Sequence, residues 1–115
     1  MFFSAFPTKI GSVRFIALGS GVVMECGTPN ITMVYAEDTG LFEMNGMEFR
    51  NCFCGDSNGP IGITNVTTLR FSNLYVHNNY ALYGGGFSYA QNIDNLIIDN
   101  CTFSNNEGKR THLLF

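Results

Sequence analysis

The sequence predicts an all-β fold, a right-handed parallel β-helix (solenoid) of about four coils. Two observations lead to this prediction: a short segment recurs along the chain, and its apolar residues alternate on both sides of one bend residue. The copies start at residues 10, 44, 66 and 93, so the last two intervals are 22 and 27 residues. A period in the twenties is typical of solenoids, in which each repeat stacks on its neighbours. The right-handed sense is that of the fold type.

Each copy divides into two short strands that meet at an asparagine. Apolar residues alternate before it, as in Leu96 and Ile98, and alternate again after it with shifted parity, as in Cys101 and Phe103. Such a shift turns the apolar face outward unless the chain bends through a left-handed residue, which asparagine tolerates. Stacked coils would place these amides ~4.8 Å apart, in a ladder of hydrogen bonds. The predicted ladder residues are Asn51, Asn73 and Asn100.

The whole chain, residues 1–115, is predicted to be one domain, because no linker or low-complexity stretch divides it. Its coils are predicted at residues 10–43, 44–65, 66–92 and 93–115. A third strand closes each coil, as at Ile61-Gly-Ile63 and Phe87-Ser-Tyr89. Solenoids end in polar capping repeats, whereas this sequence ends on the apolar Leu113-Leu-Phe115. We therefore expect a partial β-helix that is truncated at both ends.

Composition argues against two classes of partner. The chain has 6 basic and 9 acidic residues and a net charge of −3, so it lacks the basic surface that binds nucleic acids or anionic membranes. No segment approaches the ~18 consecutive apolar residues of a membrane span. Residues 1–9 also lack the basic start of a signal peptide. We predict no nucleic-acid partner and no membrane span in this chain.

Two short motifs resemble those of a known family. Val76-His-Asn-Asn79, followed by Gly84-Gly-Gly86-Phe87, is similar to the Phe-x-x-Asn and Gly-Gly-Ala-Ile repeat of polymorphic outer membrane proteins, within the pectin lyase-like superfamily. Phe103-Ser-Asn-Asn106 matches the first half fully, whereas Val76 and Gly86-Phe87 depart from the motif. The resemblance implies a β-helical adhesin at the cell surface or outside the cell, with a protein or glycan on a host or cell surface as its partner.

The cysteines are expected to be small core residues. Cys52 and Cys101 fall at the same repeat position two coils apart, a separation of ~10 Å that exceeds disulfide reach. A bond between Cys26 and either Cys52 or Cys54 stays open at this stage.

Two asparagines are candidates for glycosylation in a secreted eukaryotic chain. Asn30 and Asn65 each begin an Asn-x-Thr triplet, the acceptor sequence for N-linked glycans. Asn100 begins a third triplet, but its predicted place inside the ladder makes it unavailable.

No catalytic, cofactor-binding or metal-binding constellation is predicted. Inverting glycosidases need two carboxylates ~6.5–9.5 Å apart, and no two carboxylates share a repeat position on adjacent coils. Glu48 and Arg70 are predicted to share a column and to form a weak ion pair. Phe53 and Tyr75 are predicted to share an outward column. His77 lacks the serine and carboxylate neighbours of a catalytic histidine.

The sequence therefore favours a non-enzymatic surface or secreted repeat segment, adhesin-like, that binds through its lateral sheets or loops. The alternative is a fragment of a carbohydrate-active enzyme, similar to pectate lyases and polygalacturonases, whose catalytic coils lie outside this chain. A third hypothesis is a truncated product without an independent function. Open strand edges at the ends of the stack also predict end-to-end self-association.

Overall fold

A computed structural model of the chain describes residues 2–4, 11–26, 34–54, 60–81 and 86–108. All the regular structure in these ranges is β-strand, so the predicted all-β class is confirmed. The strands are β1 (Phe2–Ser4), β2 (Ser12–Ile16), β3 (Val23–Glu25), β4 (Val34–Asn45), β5 (Glu48–Arg50), β6 (Phe53–Cys54), β7 (Ile61–Ser72), β8 (Tyr75–His77), β9 (Tyr80–Ala81), β10 (Ser88–Asp99), β11 (Thr102–Ser104) and β12 (Glu107–Gly108).

The strands form three separate parallel sheets. Sheet 1 has the order β1-β4-β7-β10, with β2 also paired to β4. Sheet 2 has the order β3-β5-β8-β11, and sheet 3 has the order β6-β9-β12. From β4 onward the chain passes through sheets 1, 2 and 3 in the same sequence each time, which places successive strands of one sheet a constant distance apart along the chain.

One sequence offset relates the strands of all three sheets. In sheet 1 Val34 pairs with Ile61, which pairs with Ser88. In sheet 2 Glu48 pairs with Tyr75, and in sheet 3 Phe53 pairs with Tyr80. Each of these steps is 27 residues. The repeat is therefore more regular than the starts at 44, 66 and 93 suggest.

The copy assigned to residue 44 is out of register. Val66 pairs with Ile93 on one side and with Thr39 on the other, so the equivalent copy starts at residue 39. The copy at residue 10 is correctly aligned, since Val13 pairs with Phe42. The error arises because two bends in each repeat share the pattern of alternating apolar residues followed by a bend residue.

The chain bends through left-handed residues, nearly all of them asparagines. Three columns of such residues follow from the strand registers. The first holds Gly46 (φ 84°), Asn73 (52°) and Asn100 (52°); the second holds Asn51 (58°), Asn78 (57°) and Asn105 (55°); the third, within the long strands of sheet 1, holds Asp38 (53°), Asn65 (58°) and Asn92 (59°). Short polar side chains that bond locally make this conformation accessible to asparagine and aspartate.

The inward residues of sheets 1 and 2 share one apolar core. Phe87 lies near its centre, with its ring centroid 5.0 Å from that of Phe49 on sheet 2 and 5.3 Å from that of Phe71 on sheet 1. Gly86 precedes it where a Cβ atom would lie 2.5 Å from the backbone nitrogen of Glu107, so the backbones of two successive repeats approach too closely for a side chain. Glycine is thus required at the entry of β10.

The core becomes exposed at the last described strand of sheet 1. Leu69 and Phe71 on β7 are fully buried, whereas their partners Leu96 and Ile98 on β10 are 41% and 42% exposed. Burial in this architecture therefore depends on the presence of a neighbouring strand on each side, since the same apolar columns run through every repeat.

Candidate functional site

The predicted amide ladder exists in part and with different members. Asn100 donates from Nδ2 to Oδ1 of Asn73 over 2.7 Å, and Asn73 donates in turn to Oδ1 of Asn45 over 3.1 Å. Asn51 does not belong to this column, because its neighbour Arg50 pairs with His77 and thereby aligns Asn51 with Asn78. Its Nδ2 instead donates to Glu25 over 3.4 Å. The sequence placed Asn51 wrongly because both bends look alike locally.

A second ladder is buried and was missed. Asn79 is 1% exposed, its Oδ1 accepts the backbone N–H of Cys52 over 3.1 Å, and its Nδ2 donates to Asn106 over 2.8 Å. Asn106 donates to the carbonyl of Val76 over 3.0 Å. The available signal was the doubled asparagine that closes each Phe-x-x-Asn-like motif. The first asparagine makes the bend and the second bonds the backbone inside it.

The two glycosylation candidates differ in what the structure says of them. Asn65 is half-buried at a left-handed bend, and its Nδ2 donates to Oδ1 of Asp38. A glycan on that nitrogen would have to displace this hydrogen bond. Asn30 lies outside the described residues.

A disulfide links the first two repeats. Cys26 bonds Cys52, with their Cα atoms 4.9 Å apart, which settles one of the pairings that the sequence left open. Cys52 lies in the column of Asn79, whereas Cys101 is aligned with Leu74 and Met47, so the shared repeat position predicted for Cys52 and Cys101 is wrong. Cys101 is a half-buried free thiol.

The main concavity of the described surface is a groove at the bend between sheets 1 and 2. It has a volume of about 360 Å³, within the range of small-molecule sites. We call it the corner groove. It is lined by Gly21, Val22, Gly46, Met47, Glu48, Asn73, Leu74, Tyr75 and Asn100.

The bend itself creates the polar floor of the corner groove. Asn73 and Asn100 follow directly on β7 and β10, and their left-handed backbone turns the exposed amides toward the outside of the stack. Glu48 and Tyr75 are register partners at the start of sheet 2 and add a carboxylate and a phenol. Amides, carboxylate and phenol together offer both donors and acceptors to a ligand.

A charged cluster continues from the corner groove along the outer face of sheet 2. The carboxylate of Glu48 contacts Nε2 of His77 and accepts from Nη1 of Arg50 over 3.2 Å. Arg50 also donates from Nε to Glu25 over 2.7 Å. The Tyr75 ring stacks on the imidazole of His77, with centroids 4.2 Å apart. One guanidinium thus joins two carboxylates that come from adjacent strands.

This cluster keeps both carboxylates ionised. The hydrogen bond from His77 lowers the pKa of Glu48 below its ordinary value, and the charge of Arg50 lowers it further. The hydrogen bond from Arg50 lowers the pKa of Glu25. The two carboxylates reciprocally raise the pKa of Arg50. A glycosidase acid needs the opposite, a carboxyl group whose pKa is raised so that it carries a proton.

His77 is not placed to activate a nucleophile. Ser104 is its register partner on β11, which puts a serine, a histidine and the Glu48 carboxylate on neighbouring positions of one face. However, Nε2 of His77 contacts Glu48 and Nδ1 contacts the Asn78 amide at 3.0 Å. Both ring nitrogens are therefore engaged, and neither accepts the Ser104 proton. A catalytic histidine must bond its nucleophile.

A separate ion-pair cluster lies on the outer face of sheet 1. Glu43 pairs in register with Arg14 on β2 and with Arg70 on β7. Arg14 Nε donates to Glu43 Oε1 over 2.9 Å, and Arg70 Nε lies 3.7 Å from Oε2. The predicted partner of Arg70, Glu48, lies on sheet 2 instead. The predicted outward column also differs: Tyr75 aligns with Glu48, and Phe53 stacks on Tyr80 at 4.8 Å.

Across the described ranges, no three histidine, cysteine, aspartate or glutamate side chains come close enough to hold a metal ion. These ranges also contain no apolar helix of the length that would cross a bilayer. Comparisons with protein-family models, with curated proteins and with solved structures find no match to this chain. The family resemblance of the asparagine and glycine motifs stays a prediction.

Proposed function

We propose that the three sheets are the faces of one right-handed parallel β-helix of about four coils. The constant offset of 27 residues in all three sheets supports this proposal, because one winding of the chain then advances each sheet by one strand. The shared core of sheets 1 and 2 supports it as well. A crystal structure with left-handed winding, or with sheets that do not enclose that core, would refute it.

We further propose that the protein is a non-enzymatic, adhesin-like segment that binds a saccharide in the corner groove. The observation that carries this proposal is the groove lining: two exposed amides, an ionised carboxylate and a phenol around one concavity. Sugar hydroxyls donate and accept hydrogen bonds, so they suit amide and carboxylate groups. The Tyr75 side chain, 46% exposed, adds an apolar surface for a sugar ring.

The absence of catalytic geometry around the corner groove favours binding over hydrolysis. Glu25 and Glu48 have lowered pKa values, so neither is a proton donor near neutral pH. Both nitrogens of His77 are engaged. The disulfide between Cys26 and Cys52 supports a cell-surface or secreted location, since disulfides persist in oxidising compartments.

Binding to a glycan array, followed by calorimetry on the best neutral oligosaccharide, tests the groove. Tyr75→Ala should weaken binding by about tenfold or more, the loss expected for one buried aromatic contact. Tyr80→Ala is the matched control, because this aromatic lies on sheet 3 and does not line the groove. Equal losses in both variants, or binding to proteins but to no saccharide, would contradict the proposed site.

An assay for new reducing ends on polygalacturonate separates the adhesin from the enzyme fragment. We expect no turnover by the chain as it stands. Turnover that disappears in Asp99→Asn would replace the binding proposal by the carbohydrate-active alternative. Asp99 is suited to this test because it lies at the exposed end of β10, beside the groove residue Asn100.

A further inference from the structure

The Arg14–Glu43–Arg70 cluster has an asymmetry of burial that the corner groove does not explain. The Glu43 side chain is 5% exposed, whereas those of Arg14 and Arg70 are 58% and 45% exposed. Phe42 and Met44 on either side of Glu43 point into the core, so Glu43 is on the outer face and is covered by its two partners. One carboxylate is thus enclosed between two accessible guanidinium groups.

The cluster retains one positive charge after the internal pairing. Glu43 can balance only one of the two arginines, and the chain as a whole carries a net charge of −3. Asp99 is the next carboxylate on this face, diagonal to Arg70 on β10, yet the two side chains form no ion pair within the described structure. The excess charge is therefore concentrated at one place on an otherwise acidic protein.

The two arginines keep most of their donors for other partners. Arg14 uses Nε on Glu43, and Arg70 uses Nε on the hydroxyl of Ser72 over 3.1 Å while staying 3.7 Å from Glu43. A guanidinium has five N–H donors, and its terminal pair matches a carboxylate or a sulfate in two parallel bonds. Without Glu43 between them, two arginines on strands two places apart would repel each other. Glu43 thus holds them in position.

Apolar side chains border the arginine pair. Ile16 follows Arg14 by two residues on the same face of β2, and Ile97 is the register partner of Arg70 on β10. They are 41% and 43% exposed. A surface that combines guanidinium groups with apolar side chains suits a ligand whose anionic groups are carried on a largely apolar ring framework, as in an acidic polysaccharide.

We propose that Arg14 and Arg70, held by Glu43, form a binding site for the sulfate or carboxylate groups of an anionic polysaccharide. This site lies on sheet 1 and uses none of the residues that line the corner groove, so it stands or falls independently of the saccharide proposed there. The anion binds the terminal nitrogens of the two arginines and takes up the positive charge that Glu43 leaves uncompensated.

Calorimetry at low ionic strength with dextran sulfate, polygalacturonate and uncharged dextran tests the site. We expect binding of at least one polyanion and none of dextran, and the tighter of the two identifies sulfate or carboxylate as the preferred group. Arg14→Ala and Arg70→Ala should each weaken polyanion binding by about tenfold, the effect of losing one charged hydrogen bond. Arg50→Ala is the charge-matched control on sheet 2 and should change it less than twofold.

Glu43→Gln distinguishes a binding site from a purely structural ion pair. The amide keeps the size of the side chain but removes the internal anion that competes for both arginines, so polyanion affinity should rise several-fold. Thermal unfolding of each variant shows whether it is folded, and Arg14→Lys with Arg70→Lys keeps the charges if the alanine variants unfold. These lysine variants should retain part of the affinity.

Several results would overturn this proposal. Failure to bind either polyanion would do so, as would equal losses in Arg50→Ala and Arg70→Ala, which indicate nonspecific attraction. Weaker binding by folded Glu43→Gln would show that Glu43 is not a competitor. Binding to anionic lipid vesicles without binding to either polysaccharide would assign the arginine pair to a membrane surface instead.

Discussion

Replacing Asn79 by alanine should be among the most damaging single changes to this protein. The Asn79 side chain is buried in the bend between sheets 2 and 3 and joins three successive repeats. Its oxygen accepts from Cys52 N–H, and its nitrogen donates to Asn106 and, over 3.4 Å, to the carbonyl of Phe49. No other side chain of the second repeat reaches both neighbours from inside the bend in this way.

The expected cost follows from these contacts. Two hydrogen bonds donated by Nδ2 contribute about 1 kcal/mol each, and leaving the buried Cys52 N–H without an acceptor costs about 1–3 kcal/mol. Asn79→Ala should therefore lower the free energy of unfolding by about 4 kcal/mol. For a chain of 115 residues this corresponds to a fall in melting temperature of about 15 °C.

Thermal and urea unfolding followed by circular dichroism measure this effect. Asn78→Gly is the matched control, because Asn78 is the exposed neighbour at φ 57° and glycine adopts that conformation without strain. It should stay within about 1 kcal/mol of the parent protein. A loss in Asn79→Ala no larger than in Asn78→Gly would refute the buried ladder as a source of stability.

Asn79→Asp separates hydrogen bonding from packing. Aspartate fills the same volume and keeps an acceptor for Cys52, but it loses both donated bonds and buries a charge. Burial raises the pKa of such a carboxyl group, so Asn79→Asp should be more stable relative to the parent protein near pH 4 than at pH 7. A pH-independent difference would show that the position is accessible to water.

Four further predictions concern other contacts. Reduction of the Cys26–Cys52 disulfide should lower the free energy of unfolding by about 3.5 kcal/mol, the loop entropy of its 26-residue separation; a Cys26→Ala/Cys52→Ala variant that still responds to reductant would contradict this. Gly86→Ala should cost about 1–3 kcal/mol in urea unfolding because its Cβ would meet the Glu107 backbone, whereas Gly19→Ala, with open space around it, should be neutral. Ser88→Val should raise the melting temperature, because the Ser88 hydroxyl is buried without a described partner between Ile61 and the core; a lower melting temperature would indicate overpacking. The pKa values of Glu25 and Glu48 lie below the ordinary 4.5, so their contribution to stability is present above that pH and is lost as pH falls through the lowered values; Glu48→Gln should reduce this acid sensitivity in unfolding titrations.

The local bends were accessible from sequence because they depend on single residues. Asn51, Asn73 and Asn100 all have the left-handed backbone that the shifted alternation predicts. The parity of apolar residues on each side of a bend is a local property, and few residue types tolerate that conformation. Alternation likewise identified the strand positions that are buried, such as Leu69 and Phe71.

The candidate site was not accessible from sequence because it depends on register. Glu48 contacts His77, 29 residues away, and Glu43 lies between Arg14 and Arg70. A start at residue 44 instead of 39 assigns Glu48 to Arg70 and leaves His77 isolated. Every outward contact changes with that shift, whereas the apolar alternation fits either choice.

The sequence by itself determined the all-β class, the repeat and the conformation of the bends, because alternation and asparagine preference act over a few neighbouring residues. Only the tertiary structure decided which bends lie in one column, which cysteines meet and which charges face each other. Those choices are made by three sheets that must pair at once, and a 27-residue offset is the one that pairs all of them in this structure.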